Sequence, residues 1–292
     1  MAGRIVIGTS SWADPGFVEE WYPDGLPARE RLPFYAERFE GVEVNSTFYA
    51  IPSAKTTATW AKVTPDDFTF DVKLHRLLSR HAAGPSSLPK DLRSRARTNE
   101  RGRLKLTERL EAAVADRLLE GVEPLGDKLA TFLMQLTPAF GPRDHKLDEL
   151  PPLVERLSAA APLAIELRNR FWLDERRIEG TLGWFEEHGA VFVSIDGPQG
   201  SNAPTIMPPI DAVTRSDVAY LRAHGRNLQG YLRGRSVPER FGYRYDDDEL
   251  RELGDRAQEL AKEVPQVRMM FNNNRGGDAP EAAQRMRELM SS

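Results

Sequence analysis

Short apolar runs recur along the chain, and several of them consist almost entirely of Val, Ile, Leu and Phe. Parallel strands covered by helices have this composition, because neither face of such a strand meets water. The pattern predicts eight strands, which are Arg4–Gly8, Val42–Ser46, Thr69–His75, Ala130–Leu136, Leu163–Leu167, Val191–Ile195, Val218–Ala223 and Val267–Phe271.

Segments with apolar residues at helical spacing lie between these runs. The predicted helices are Ala28–Phe39, Leu104–Leu119, Leu147–Ala160, Glu175–His188, Asp247–Val264 and Ala279–Met290. Repeated alternation of strand and helix predicts an α/β fold, a single (βα)8 TIM-type barrel domain over residues 1–292, for which about 250 residues is typical. A doubly wound open sheet is the alternative, although no G-x-G-x-x-G follows the first strand.

Polar residues two positions apart stand at the C-terminal ends of five predicted strands. Side chains alternate across a strand, so residues i and i+2 share a face. The pairs are Glu43 with Asn45, Lys73 with His75, Glu166 with Arg168, Ser194 with Asp196, and Arg222 with His224. In a parallel barrel the C-terminal strand ends form one mouth, where enzymes of this fold carry their sites. The pattern predicts an ionisable pocket there.

The predicted pocket has a balanced charge. Its acidic members are Glu43, Glu166 and Asp196, and its basic members are Lys73, Arg168 and Arg222. A self-satisfied ring of salt bridges is one interpretation, but apolar residues often stabilise a core as well as a buried ion pair does. The presence of charged residues at several strand ends therefore favours a ligand-binding site over a ring of salt bridges. We expect Glu166, Asp196 and His224 to be catalytic, and the basic residues to hold anionic oxygens.

The loops after the last two strands suggest an oxyanion site. Arg226 follows one strand, and Asn272, Asn273 and a Gly-Gly pair follow the other and lead into a helix. Barrels commonly bind phosphate at this corner. In the competing interpretation, Asp278 caps the helix and the glycines make only a turn. Aromatic residues that could line the pocket, or pack under loops, are Trp12, Tyr49 and Trp172.

A long basic insertion, residues 77–105, follows the third predicted strand. It contains eight Lys or Arg residues and two acidic residues, so its net charge is +6. One interpretation is a solvated loop. The alternatives are a lid over an anionic ligand and a surface that tracks nucleic-acid phosphates.

Composition excludes several other classes. The chain has no cysteine, which excludes disulfides and thiolate metal sites, and its net charge is −4. No apolar stretch reaches the roughly 18–20 residues of a membrane span, and the first residues do not resemble a signal peptide, so we expect a cytoplasmic protein. No H-x-x-x-H pattern marks a zinc site. Mg²⁺ or Mn²⁺ on Glu43, Glu166 and Asp196 remains open.

Several motifs together resemble the YecE-like family, a group catalogued as a domain of unknown function, DUF72. They are I-G-T-S-S-W, V-E-V-N-S-T-F-Y, F-D-V-K-L-H-R, I-E-L-R-N-R-F-W, Y-L-R-A-H-G-R-N and F-N-N-N-R-G-G, in that order from Gly8 to Gly277. The resemblance implies a TIM-type barrel and supplies no activity. Thr137 and Asn274 depart from the family pattern, which has proline and histidine there.

The leading hypothesis is an enzyme that binds a small phosphorylated or other anionic substrate, similar to a sugar or a nucleotide, at the mouth of the barrel. Acid–base chemistry would carry out isomerisation, lysis or hydrolysis. The first alternative is a barrel that binds or processes nucleic acid through the insertion 77–105. The second is a non-catalytic scaffold that binds a ligand.

Overall fold

Eight parallel strands form one sheet in the computed structural model, which describes residues 2–94, 96–273 and 275–291. The strands are β1 Arg4–Thr9, β2 Gly41–Val44, β3 Thr69–Lys73, β4 Leu129–Gln135, β5 Leu163–Glu166, β6 Val191–Asp196, β7 Ala219–Ala223 and β8 Gln266–Phe271. Their hydrogen-bonded order is β1-β8-β7-β6-β5-β4-β3-β2. Each predicted strand is confirmed, with ends that differ by at most two residues.

The sheet curls into a nearly closed barrel, because its edge strands β1 and β2 lie side by side. A Cβ placed on Gly8 would lie 2.2 Å from the carbonyl oxygen of Gly41. The buried Tyr35 hydroxyl accepts the Thr9 N–H at 2.8 Å and donates to the Gly41 carbonyl at 3.3 Å. This phenol therefore bridges the two edge strands. With helices between the strands, the architecture is the predicted TIM-type α/β barrel.

The helices surround the barrel. Those in the described residues are α1 Pro15–Glu20, α2 Ala28–Ala36, α3 Ala54–Lys62, α4 Lys90–Arg93, α5 Glu108–Val122, α6 Pro151–Ser158, α7 Ile178–Glu187, α8 Leu228–Arg233, α9 Val237–Phe241, α10 Asp247–Leu260 and α11 Asp278–Ser291. The six predicted helices correspond to α2, α5, α6, α7, α10 and α11. Helix α5 begins four residues later than predicted, because the Thr107 side chain caps it by accepting the Leu110 N–H.

Five helices do not appear among the predicted ones, namely α1, α3, α4, α8 and α9. In α3 the sequence A-K-T-T-A-T-W-A-K has no apolar stripe, and its one buried residue is Thr57. The Thr57 hydroxyl donates to the Gly121 carbonyl of α5 at 2.7 Å. A polar contact thus replaces the hydrophobic periodicity on which the prediction depended.

The register between β6 and β7 decides which residues face the interior. Tyr220 and Arg222 of β7 point inward, as their contacts with β2 show. Ile195 pairs with Arg222, and Asp196 pairs with Ala223. Paired residues of neighbouring strands share a face. Ile195 therefore faces the interior, and Asp196 faces the helices.

Two long connections border the C-terminal end of the barrel. Residues 197–218, which we call the cover segment, contain no helix or strand, and all of them are described. Residues 77–105, described except for Arg95, are partly folded. They bury Leu88, Leu92 and Leu104, and Arg80 forms an ion pair with Glu111 of α5.

Candidate functional site

Arg222 lies at the centre of a buried ion cluster inside the barrel. Its Nε and Nη2 atoms donate to the two carboxylate oxygens of Glu43 at 2.8 and 2.7 Å, and its Nη1 donates to Glu166. All three side chains are fully buried. The bidentate geometry is the strong form of an arginine–carboxylate pair. We call Glu43, Lys73, Glu166, Arg168, Arg222 and His224 the mouth cluster.

Glu166 accepts hydrogen bonds from several directions. Besides Arg222, its donors are Arg168 Nη1 at 2.8 Å, Gln135 Nε2 at 2.7 Å and His224 Nε2 at 3.2 Å. Burial acts to raise the pKa of Glu166, but the charges of Arg222 and Arg168 outweigh it, and the pKa lies well below the ordinary value. Glu166 is therefore ionised at neutral pH and has no proton to donate.

His224 is held as a neutral imidazole. Asn272 Nδ2 lies 2.9 Å from its Nδ1, which suits a ring proton on Nε2; the Nε2 atom lies 3.2 Å from Glu166 and 3.3 Å from Arg168 Nη1. Burial lowers the pKa of His224 to about 4, and the nearby Glu166 charge does not reverse this effect. A neutral ring that donates to a carboxylate serves to orient it. His224 and Asn272 thus fix the position of Glu166.

Lys73 is the lysine of the mouth cluster, and its pKa is shifted toward neutrality. Its Nζ donates to Asn45 Oδ1 at 2.8 Å and to Gln135 Oε1 at 3.0 Å. Within residues 2–94, 96–273 and 275–291 it has no carboxylate at ion-pair distance. Burial, helped by the charge of Arg222, lowers the pKa of Lys73 to about 8. This amine can exchange a proton at physiological pH.

The structure does not bring Asp196 to the mouth cluster. Because Ile195 takes the inward position of β6, the Asp196 carboxylate lies outside the barrel. There it accepts from Arg226 at 2.8 Å and from the Tyr245 hydroxyl at 2.7 Å. Arg226, which was expected to bind substrate, belongs to this outer network as well. The outer network comprises Asp196, Asp211, Arg226, Tyr245, Glu249, Glu252 and Arg256.

Because Asp196 lies outside the barrel, the charge of the mouth cluster differs from the predicted balance. Two carboxylates, Glu43 and Glu166, face three cations, Lys73, Arg168 and Arg222. With His224 neutral, three positive charges against two negative ones give the mouth cluster a formal charge of +1. A net charge in a buried place is costly unless a counter-ion joins it.

The predicted aromatic residues lie outside the cluster. Trp12 packs edge-on against Trp60 with ring centroids 5.2 Å apart. Trp172 is buried under loops, where its Nε1 donates to the Phe140 carbonyl at 2.8 Å. Tyr49 is 63% exposed. Two of these rings thus serve packing, and the third lies at the surface.

The predicted oxyanion corner is filled by a side chain of the protein. The Gly277 N–H donates to a carboxylate oxygen of Glu20 at 3.0 Å. Gly276 has φ of 51°, a left-handed conformation that favours glycine. Asn273 is buried and donates to the Tyr243 carbonyl at 2.8 Å, while Asn274 lies outside the described residues. A carboxylate therefore takes the place that an external anion would occupy.

A deeper polar layer lies below the mouth cluster and was not predicted. The Tyr220 hydroxyl contacts Glu43 at 3.3 Å and Asp71 at 3.1 Å, and Asp71 forms an ion pair with Arg268 at 2.6 Å. Burial raises the pKa of Asp71. Asp71 and Tyr220 lie two residues before Lys73 and Arg222, so the same alternation, applied one step further back along each strand, would have predicted their inward orientation. Gln135, which links Lys73 to Glu166, ends β4 in the same way.

The cover segment closes one side of the mouth. A cavity of about 10 Å³, room for about one water molecule, remains between this segment and the cluster. Its lining includes Arg168, His224, Tyr231 and Met207. On the other side, Asn45 and Gln135 are partly exposed. The Lys73 side of the cluster is thus the side that communicates with solvent.

A larger cavity, of about 490 Å³, lies away from the mouth between the insertion 77–105 and α5. Leu92, Arg97, Lys105, Arg109 and Leu110 line it. It has a cationic rim and an apolar floor, and the carboxylates of the mouth cluster do not contribute to it.

No metal centre is assembled by the described side chains, since none of their His, Asp and Glu groups converge in threes. Arg222 lies between Glu43 and Glu166, and Asp196 is outside the barrel. The three carboxylates considered for Mg²⁺ or Mn²⁺ therefore do not form a ligand set. In the described part of the chain, no helix has both the length and the apolar character required to cross a bilayer.

Comparison with known proteins gives matches over the whole chain. A family model described as "Protein of unknown function DUF72" matches residues 6–292. UPF0759 protein YunF of Bacillus subtilis (strain 168) is 30% identical over 292 residues, which cover 98% of this chain and 94% of that protein. UPF0759 protein YecE of Escherichia coli (strain K12) is 29% identical over 152 residues, 50% of this chain and 44% of that protein.

Solved structures share the fold. A DUF72 family protein from Enterococcus faecalis V583 superimposes with a TM-score of 0.76 at 26% identity, covering 100% of this chain and 99% of that chain. A DUF72 family protein from Thermotoga maritima MSB8 gives a TM-score of 0.74 at 24% identity, covering 99% of both chains. These likenesses agree with the eight-stranded barrel.

Proposed function

Because the chain belongs to the DUF72 family, as its motifs predicted, and the description of that family assigns no activity, we propose a function from the geometry of the mouth cluster. The protein is an enzyme that binds a small anionic substrate at the C-terminal mouth of the barrel and transfers protons with Lys73. The observation that carries this proposal is the excess of one positive charge among buried side chains. An anion at the mouth neutralises that excess.

The roles differ from those expected from the sequence. Lys73 replaces Asp196 as the group that gains and loses a proton, since its pKa of about 8 suits catalysis near neutral pH. Glu166 stays ionised and holds Arg168 and Arg222 in place. Arg168, whose Nη2 donates to the Tyr231 hydroxyl at 2.8 Å, contributes one of the positive charges that attract the anion.

The test is a thermal-shift titration with inorganic phosphate, sugar phosphates, nucleotides and small carboxylates. We expect an anion to raise the melting temperature of the wild type, since a ligand at 100 times its dissociation constant adds about 2.7 kcal/mol. Lys73→Gln should reduce the response, and Lys62→Gln, a change of an exposed lysine on α3, should not. Equal responses in the two variants, or none in the wild type, would contradict the proposal.

A second candidate function is nucleic-acid binding, favoured by one observation. Arg97, Arg101, Arg103 and Lys105 are exposed or partly exposed, and within the described residues none of them has a carboxylate at ion-pair distance. Replacing all four with Gln should make the plot of log binding constant against log salt concentration less steep for duplex DNA. The slope should become smaller by about 0.9 for each phosphate that these side chains neutralise. Binding that is absent at low salt would remove this candidate.

A further inference from the structure

We propose that Lys73 is a covalent catalyst that forms an imine with the carbonyl carbon of a small anionic aldehyde or ketone. The inference rests on the proposed function and specifies the substrate class of the same site. It depends on the surroundings of the Lys73 amine, on the cations beside it and on its access to solvent.

The amine is held by neutral acceptors. Asn45 Oδ1 and Gln135 Oε1 accept its protons, and both amides are partly exposed where they border the mouth. A carboxylate partner would stabilise the ammonium form, whereas amide oxygens do so only weakly. Lys73 is the one buried lysine among the described residues. Desolvation and an adjacent cation are the two ways in which proteins activate a lysine as a nucleophile.

Both activating conditions are present at Lys73. The side chain is 5% exposed. Its pKa is lowered to about 8, first by burial and then by the charge of Arg222. At pH 8 about half of the amine is unprotonated, whereas an ordinary lysine with a pKa near 10.4 is less than about 1% unprotonated.

Cations around Phe48 provide a place for the anionic group of the substrate. Lys73 Nζ lies 4.9 Å and the Arg76 guanidinium 5.6 Å from the centre of the Phe48 ring. His81 packs against the same ring at 5.1 Å. Burial lowers the pKa of His81, and the charges of Lys73, Arg76 and Arg168 lower it further. Lys73 and Arg76 thus both lie beside the Phe48 ring.

Arg76 is available to an external anion. Among the described residues it has no carboxylate at ion-pair distance, and its Nε is buried without a hydrogen-bond partner. A carboxylate or phosphate beside Arg76 would hold the substrate next to Phe48, whose ring Lys73 also contacts. The same anion would offset the positive charge at the mouth.

The reaction balances without an oxidant or a reductant. The unprotonated Nζ attacks the carbonyl carbon, a C–N bond forms, and the carbonyl π electrons move to oxygen. That oxygen takes the proton released by nitrogen, which gives a carbinolamine. The hydroxyl group then takes a proton from solvent and leaves as water, which gives the protonated imine. This imine draws electrons from the adjacent carbon and so favours proton removal or bond cleavage there.

The experiment is reductive trapping of the full-length protein. Pyruvate, glyoxylate and uncharged acetone are the probes, and sodium cyanoborohydride supplies the hydride that reduces an imine to a stable secondary amine. Peptide mass mapping locates the adduct. We expect pyruvate or glyoxylate to label Lys73 at least about tenfold faster than exposed Lys62 at pH 8, because about half of the Lys73 amine is unprotonated there. Acetone should label Lys73 less than the anionic probes do.

Three controls make the result decisive. Lys73→Arg should lose the selective adduct, and Lys62→Arg should keep it. Arg76→Gln should slow labelling by pyruvate more than labelling by acetone. The labelling rate at Lys73 should rise with pH through about 8. Adducts spread over exposed lysines, or none at Lys73 with any probe, would overturn the inference. If phosphate still stabilises the wild type in that case, the proposed function survives without the imine.

Discussion

The mouth cluster and the outer network contain the same kind of arginine–carboxylate contact but differ in their charge balance. In both, a nearly or fully buried carboxylate is bound by two arginines, Glu166 by Arg168 and Arg222, and Asp196 by Arg226 and Arg256. In the outer network those arginines also reach Asp211, Glu249 and Glu252, so two cations face four carboxylates. The mouth cluster has the opposite excess, with Lys73 bound only by amides among its hydrogen-bond partners.

The difference in residual charge distinguishes a network that connects elements of the fold from a candidate binding site. Arg256 belongs to α10 and Arg226 follows β7, so the outer network connects strands to the helical layer and leaves no positive charge to be neutralised. The mouth cluster holds buried charge inside the barrel without balancing it. Arginine–carboxylate pairs alone do not mark function, and the sign of the residual charge distinguishes the two regions.

The largest expected effect is that of Arg222→Met, which leaves Glu43 and Glu166 buried without their main partner. We expect the free energy of unfolding to fall by about 3–5 kcal/mol, measured by urea denaturation. The matched change in the outer network, Arg256→Met, should cost less, because Arg226 and Tyr245 still bind Asp196. Equal losses would remove the distinction between the two regions.

Glu166→Gln should destabilise the protein by about 2–3 kcal/mol, because the donors around Glu166 lose a charged acceptor. It also raises the positive excess of the mouth by one. The melting-temperature shift caused by inorganic phosphate should therefore be larger than in the wild type. Asp196→Asn is the control, and its phosphate response should stay unchanged. A smaller response in Glu166→Gln would mean that the anion does not bind at the cluster.

The lowered pKa of Lys73 predicts that the free energy of unfolding rises with pH. Its pKa falls from 10.5 to about 8 on folding, so between these values the unfolded chain holds more protons than the folded one. Stability should rise with pH across that window, relative to Lys73→Gln, by about 1–3 kcal/mol. Urea denaturation of both proteins at several pH values from 7 to about 10 measures the difference. A constant difference would show that Lys73 titrates normally.

The smallest effect is expected for Tyr49→Ala. The ring is 63% exposed, and changes at such surface positions usually stay within about 0.5 kcal/mol. The phosphate response should not change, because the residue lies outside the cluster. A lost response would place Tyr49 in the substrate pocket after all, and thermal denaturation with and without phosphate is sufficient to decide.

The eight strands could be predicted because burial on both faces leaves a continuous apolar signal in each run. Glu43, Lys73, Glu166, Arg168, Arg222 and His224 could be predicted from alternation at strand ends. Asp196 shows the limit of that rule. Residues i and i+2 share a face, but only pairing with the neighbouring strand, here Ile195 with Arg222, decides which face is inside.

Other features cannot be predicted from local patterns in the sequence. Helix α3 carries no apolar stripe, and Glu20 fills the Gly276–Gly277 turn from more than 250 positions away in the chain. The lowered pKa of Lys73 depends on burial and on Arg222, which belongs to another strand. Such effects arise from long-range packing, so a single sequence contains the residues but not their environment.

Two main-chain carbonyls of the cover segment fasten it beside the mouth. The Pro204 carbonyl accepts the Arg170 N–H at 2.8 Å, and the Thr205 carbonyl accepts the Tyr231 hydroxyl at 3.2 Å. Main-chain anchors tolerate a change of side chain, because the carbonyl is present in every amino acid. The side chains of residues 197–218 can therefore vary and reshape this edge of the mouth without loss of these two anchors.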